Sequence, residues 1–474
     1  MTKTTPPPPT APPSRTAGAD PATTATGTTA AGAVLGAKPR YADEARAVAA
    51  RVFDRLADPE ATAVGTRVPD PAPPVALREP LWQDLALSSG YPGVSLAFTG
   101  RGRPGPEDAT RAHAYLARAM RAMAATAHAP AGIYTGPGAV AFAVLVAHRA
   151  TGGYRSALDR LDDHQRRLVH RALPEVRDAP TATNGEYEVV RGMSGIGRYL
   201  LARRERCEEE LRLVLTYLTR MAHGEIGHRG LRVPRWWTWA APKLGQEGEM
   251  PDGHLNLGLS HGVAGPLALL SLAWRQGAVV DGQREAIERL VDLLGRWSRD
   301  AGDGTGPGWP PHLTLDRWAA GPGGTPPRRR PSWCYGAPGV SRAIQLAGLA
   351  LGRDDWLRLA HASLLPLVTT DPDGWNIDNA HLCHGWSGLM HLVAVVNEPI
   401  GDARLAALVD DMAARTLSAF RPEYRFGFRA ALTDIPQGAD VPAFLEGSTG
   451  TALALAAYAD GRTTTDWDMA LLVA

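Results

Sequence analysis

The sequence predicts an all-α protein, an α/α toroid of seven inner and seven outer helices. Three observations predict it. Amphipathic helical stretches alternate with stretches that are apolar on nearly every side. Six of the seven apolar stretches open on Gly-x-x-Gly, an internal repeat that sets the architecture. A helix apolar all round must be buried all round, so the alternation implies one ring of helices wrapped by another. Closure is expected over an open solenoid, which would leave an inner helix exposed. The 474-residue length fits either two domains or one large closed architecture.

Residues 1–40 are Pro, Thr, Ala and Gly with almost no large apolar side chains. Such a segment buries too little surface to offset its ordering entropy, so it reads as a disordered tail ahead of a 41–474 helical domain. The outer helices are expected at 42–57, 107–127, 156–173, 209–224, 283–300, 355–368 and 402–420, each with apolar residues at i, i+3, i+4 and i+7 and one charged face. The inner helices are expected at 89–98, 134–147, 191–201, 261–273, 335–351, 384–396 and 446–459. The second repeat carries Thr135 in place of the first glycine. The second glycines fall at 93, 138, 195, 265, 339, 388 and 450, unevenly spaced because the loops differ in length. Each Gly-x-x-Gly lets the chain turn tightly into an inner helix and lets backbones approach closely.

With 50 basic and 49 acidic residues the net charge is +1, which argues against a nucleic-acid binder. Three cysteines (Cys207, Cys334, Cys383) cannot form a disulfide framework in a chain this size and fit a reducing cytoplasm. The N-terminus has no apolar signal core, and no apolar run nears the roughly 20 residues of a bilayer helix. A soluble, cytoplasmic protein is expected.

In a closed repeat, equivalent positions share one end of the barrel. The residue before the first glycine is Arg191, His261, Tyr335, His384 and Glu446 in repeats three to seven. The residue two before it is Cys334 in repeat five and Cys383 in repeat six. Two cysteines therefore hold the same slot in neighbouring repeats, with His384 beside one of them. Thiolate and imidazole are the ligands zinc prefers, and three protein ligands with one position open is the catalytic pattern. His381 and His254 are alternatives that could close the site. Zinc in a Cys/Cys/His set could activate water, or could hold an incoming thiol as a thiolate. Two thiolate ligands lower its Lewis acidity and tilt the reading to thiol activation.

Three stretches, "LNLGLSHGVAGPLALLSLA", "RPSWCYGAPGV" and "LCHGWSGL", in this order, closely resemble the signatures of LanC, the lanthipeptide cyclases. The resemblance runs from about residue 42 to the end of the sequence. It implies an α/α toroid with a zinc at one end of its cavity. It also implies addition of a peptide Cys thiolate to dehydroalanine or dehydrobutyrine, giving lanthionine or methyllanthionine rings. The implied substrate is a dehydrated precursor peptide, and the implied partner a lanthipeptide dehydratase. Cys334, Cys383 and His384 match the family's zinc ligands. His261 matches its active-site His, Arg330 an Arg that could stabilise the enolate, and Tyr335 the Tyr of its WCYG motif. Glu188 stands where the family usually has Asp, one methylene longer.

Other readings stay in play. The same fold could add an external thiol such as glutathione, or keep zinc as a pin in a non-catalytic scaffold for a dehydratase. An α/α-barrel glycosidase would need paired carboxylates, whereas the rim offers mostly Cys, His, Arg and Tyr. Residue by residue, His261 could be a helix cap, Arg330 part of a solvated arginine run, and Glu188 a surface acid. Trp236 and Trp237 read as packing under a long loop. The loops 224–257, 301–333 and 421–445 are expected to frame the substrate entrance.

Overall fold

The computed structural model describes residues 38–69, 80–101, 104–126, 132–242, 247–300, 307–323, 331–432 and 435–474. Most of the expected tail, residues 1–37, lies outside the described residues.

Among the described residues, fourteen helices of nine residues or more alternate between two rings. The outer ring is α1 (Ala42–Arg55), α3 (Pro106–Ala125), α5 (Arg155–Ala172), α7 (Arg204–Ala222), α9 (Gln283–Trp297), α11 (Asp354–Ala362) and α13 (Ala403–Ser418). The inner ring is α2 (Tyr91–Thr99), α4 (Gly136–Thr151), α6 (Met193–Ala202), α8 (Ala264–Arg275), α10 (Ala337–Leu351), α12 (Trp386–Asn397) and α14 (Ser448–Asp460). The all-α toroid is as the sequence predicts. The apolar stretches are buried along their length; α2 and α14, for example, bury nearly every residue. The outer helices bury one stripe, as in α5, where Leu158, Leu161, Asp162, Gln165 and Val169 face inward. The ring closes because α14 packs on α2 and is backed by α1. Arg46 Nη2 on α1 meets Asp460 at 2.9 Å, and the Tyr41 N–H donates to the Tyr458 hydroxyl at 3.2 Å.

The inner helices start about two residues later than the apolar stretches, because the glycine turn itself lies outside the helix. The first glycine of the motif is the residue just before the helix in five repeats (Gly90, Gly192, Gly336, Gly385, Gly447), and Thr135 takes that place in the second. The second glycine has a steric reason that repeats seven times. A Cβ there would overlap the carbonyl oxygen six residues earlier: Leu87, Gly132, Val189, Leu259, Trp333, Leu382 and Phe444 in turn.

Those turns are tied to one another by the backbone. Leu87 N–H donates to Tyr134 O (2.9 Å), Tyr134 to Val190 (3.4 Å), Val189 to Ser260 (3.0 Å) and Leu259 to Cys334 (3.1 Å). Cys334 then donates to Cys383 (3.4 Å), Cys383 to Leu445 (3.0 Å), and Leu445 back to Ser88 (3.1 Å). The seven bonds form a closed girdle that visits every repeat once. Beneath it, residues 466–474 fill the space between inner helices. Tyr134 and Trp333 donate side-chain hydrogen bonds to the carbonyls of Ala470 (3.0 Å) and Leu471 (2.9 Å). Arg198 and Arg342, both buried, hold Ala474 O (2.9 Å) and Val473 O (2.8 Å), and His391 meets Asp468 at 3.0 Å.

The long loops are not featureless. They carry antiparallel ribbons pairing Glu225–His228 with Leu231–Pro234, His254–Asn256 with His312–Thr314, and Ala430–Leu432 with Ile435–Ala439. Strands of three to five residues are too short for their alternation to stand out from loop in a sequence. Among the described residues no helix is long and apolar enough to cross a membrane.

Gly388→Ala tests the glycine rule. It should lower stability by about 1–3 kcal/mol through overpacking against Leu382, read as a fall in Tm by calorimetry. Gly295→Ala on outer helix α9, where a Cβ meets nothing within 4 Å, should instead be neutral or gain about 0.5–1 kcal/mol.

Candidate metal centre and active site

The girdle places the site. Cys334 and Cys383 are bonded to each other through their backbones, so their side chains leave adjacent points of one ring. His384 follows Cys383 directly. The donor atoms of these three residues lie within 4.8 Å of one another, and no other His, Cys, Asp or Glu among the described residues joins them. Both cysteines are buried and His384 is half-buried. The two thiols hydrogen-bond, so they titrate as a pair. Cys383, and less strongly His384, stabilise the Cys334 thiolate and hold its pKa well below the usual thiol range, against the cost of burial. That charge, with burial, pushes Cys383 well above it. A buried site that carries one negative charge beside an imidazole is electrostatically suited to a divalent cation, and the two-sulfur, one-nitrogen donor set is the kind zinc takes.

Around the cluster the supports are specific. Glu446 Oε1 lies 3.9 Å from His384 Nδ1. The ring of His381 stands perpendicular to that of His384, centroids 4.4 Å apart, outside the donor set. Ser332 sits with its hydroxyl 3.5 Å from Cys334 Sγ and accepts the Tyr335 N–H at 3.0 Å. Neither His254 nor Cys207 reaches the cluster. His254 is buried on its ribbon, which pushes its pKa down to about 4. Cys207 sits at a kink in α7, where burial and the nearby Asp162 and Glu210 push its thiol up to about 12.

The expected rim residues divide as follows. His261 Nδ1 and Glu188 Oε2 are 2.7 Å apart, so the Glu found where Asp was expected reaches the imidazole. Glu188 is itself fixed: its carboxylate accepts the Val190 N–H at 2.9 Å and the Arg191 N–H. Burial opposes charge on His261, but the hydrogen bond and charge of Glu188, aided by Cys334, outweigh it and raise the His261 pKa above the usual imidazole value. Asn184 Nδ2 holds the His261 carbonyl at 2.9 Å. Burial raises the Tyr335 phenol. Its hydroxyl takes a hydrogen bond from Asn256 Nδ2 at 3.1 Å. Arg330 lies outside the described residues. Trp236 and Trp237 are fully buried, as packing residues under their loop.

Ser332, Asn184 and Asn256 are the site residues that sequence reasoning passed over. Ser332 had a signal, a hydroxyl two residues before Cys334, where it can cap the turn. Asn184 and Asn256 act on partners 77 and 79 residues away, which no local pattern reports.

The described site has relatives. Residues 81–472 match the family described as "Lanthionine synthetase C-like protein". The nisin biosynthesis protein NisC of Lactococcus lactis subsp. lactis is 23% identical over 409 residues, covering 82% of this chain and 89% of NisC. The solved structure titled nisin cyclase superposes with a TM-score of 0.69 at 20% identity, over 91% of this chain and 97% of that one.

Zinc analysis of the purified protein should give about one ion per chain, the occupancy expected of a single Cys/Cys/His site. Cys383→Ala should lose it while keeping the helical circular-dichroism signal, whereas Cys207→Ser should keep it.

Proposed function

The chain belongs to the lanthionine synthetase C-like family, and from that premise we propose that it is a zinc-dependent cyclase closing thioether rings in a dehydrated precursor peptide. The observation that carries this reading is the convergence of Cys334, Cys383 and His384 on the rim that also holds the His261–Glu188 pair. Those three residues would hold the zinc. Bound there, zinc would keep a substrate Cys sulfur as a nucleophilic thiolate at neutral pH.

The chain's own groups then account for the proton. As sulfur bonds to the β-carbon of dehydroalanine or dehydrobutyrine, the double-bond electrons pass to the α-carbon and its carbonyl as an enolate. His261, whose protonated form Glu188 favours, donates its proton to the α-carbon. The proton lost by the thiol replaces it, so nothing but the peptide changes. Glu188 cannot swing away, because two backbone N–H groups hold it. Tyr335 stands on the same rim, and Arg330 is assigned to the enolate charge by its match to the family motif. The precursor must arrive with Ser and Thr already dehydrated, which calls for a dehydratase as partner. Free thiols at the site fit a cytoplasmic location.

The deciding experiment gives the protein a dehydrated, Cys-containing peptide and counts remaining thiols by alkylation and mass spectrometry. Loss of alkylation without change of peptide mass is expected, and Cys383→Ala should abolish it. Addition of glutathione mass would favour the external-thiol reading, and no reaction a scaffold. His261→Ala should lower kcat by about 10²–10⁴-fold, the usual worth of a general acid. The pH profile carries a sign. An acid with a raised pKa works at low pH, and its activity is lost as pH rises through that pKa. Glu188→Gln removes the charge that raises it, so the alkaline limb should move to lower pH.

A further inference from the structure

Asn256 is fully buried at the end of the strand His254–Asn256, and its amide is committed at both ends. Its Oδ1 accepts the Gly258 N–H at 2.9 Å, and its Nδ2 donates to the Tyr335 hydroxyl at 3.1 Å. The orientation is not a matter of choice. A backbone N–H can only donate, so the oxygen must face Gly258 and the NH₂ must face the phenol. Tyr335 Oη is therefore an acceptor at that contact, and its own O–H proton must point elsewhere. No described residue takes it.

The ring is held as firmly as the hydroxyl. Gly258 lies against the ring, where a Cβ would come within 2.7 Å of Cδ1 and 2.6 Å of the Cys334 carbonyl. The His312 ring meets it at an angle, centroids 5.3 Å apart. The turn after Asn256 is itself tight, with the Val263 N–H returning to the Asn256 carbonyl at 3.0 Å. One short segment, 256–263, thus carries the clamp on Tyr335 and, at His261, the acid.

We propose that Asn256 is a positioning residue that makes Tyr335 a one-way hydrogen-bond donor to the substrate. Its target is the carbonyl oxygen of the dehydro residue, where negative charge gathers as the C–S bond forms. No proton is transferred; the O–H dipole stabilises the enolate oxygen. The inference rests on the cyclase reading above.

Asn256→Asp tests it with little change of shape. One carboxylate oxygen still accepts from Gly258, while the other replaces the NH₂ and draws the phenol proton to itself. Expected is a kcat roughly 10- to 100-fold lower with KM within about twofold, since a donor to the developing charge is lost. Zinc content should match the wild type, with a Tm lowered only by the cost of the buried carboxylate. Tyr335→Phe should show a similar loss, and the double variant should be no slower than Tyr335→Phe alone. An unchanged kcat in Asn256→Asp, or a double variant whose loss is the product of the two, overturns the inference. If Asn256→Asp does not fold, Asn256→Ser is read in the same way, because its hydroxyl reaches the Gly258 N–H but not the phenol. Wild-type protein that forms no thioether overturns the cyclase reading and the inference with it. Wild-type activity with an unaffected Asn256 variant overturns the inference alone.

Discussion

Seven backbone hydrogen bonds, one per repeat, close the turns above the inner helices into a ring. Each is worth only about 0.5–1.5 kcal/mol net, but leaving a buried N–H or C=O unpaired there would cost about 1–3 kcal/mol. The ring therefore acts as a constraint more than as glue: no turn can shift without stranding a neighbour's polar group. The second glycines serve the same end. Each lets an inner helix press against the carbonyl six residues back, so that the turn lies flat on its own helix. The seven loops outside the ring are free to differ in length, and they do.

That constraint turns a slot in the repeat into a place in space. Cys334 and Cys383 share a slot, so adjacent repeats bring their sulfurs together without any dedicated metal-binding loop. The next slot holds His261, Tyr335, His384 and Glu446, and the chemistry differs by which residue each repeat supplies. Charge then sorts the roles. Paired thiols share one negative charge next to His384, while Glu188 places another under His261. One imidazole is thus disposed to bind a cation and the other to become one.

Much of this could be read from the sequence because periodicity and slot are one-dimensional. All fourteen helices show in the pattern of apolar residues, most within about four residues at their ends; α7 starts at Arg204 where 209 was expected, and α11 stops at Ala362 where 368 was expected. The cysteine slot needs only an alignment of the chain with itself. Glu188 was found by its place in a motif, but the 2.7 Å contact that gives it a purpose required the fold. The ribbon of His254–Asn256 with His312–Thr314, Asn184 and Asn256 were not legible, because their bonds join residues far apart in the chain, while the two local hairpins are too short to stand out from loop.

The packed segment 466–474 has a consequence for traffic. It seats its backbone on Tyr134, Arg198, Trp333 and Arg342, immediately below the girdle. The toroid is therefore a cup and not a tunnel. A peptide passing along the ring axis would meet this packed backbone, so the reacting loop would have to enter and leave on the girdle side. A precursor with several cysteines would then be worked on in separate visits, and the order of its rings would depend on which segment next finds the mouth.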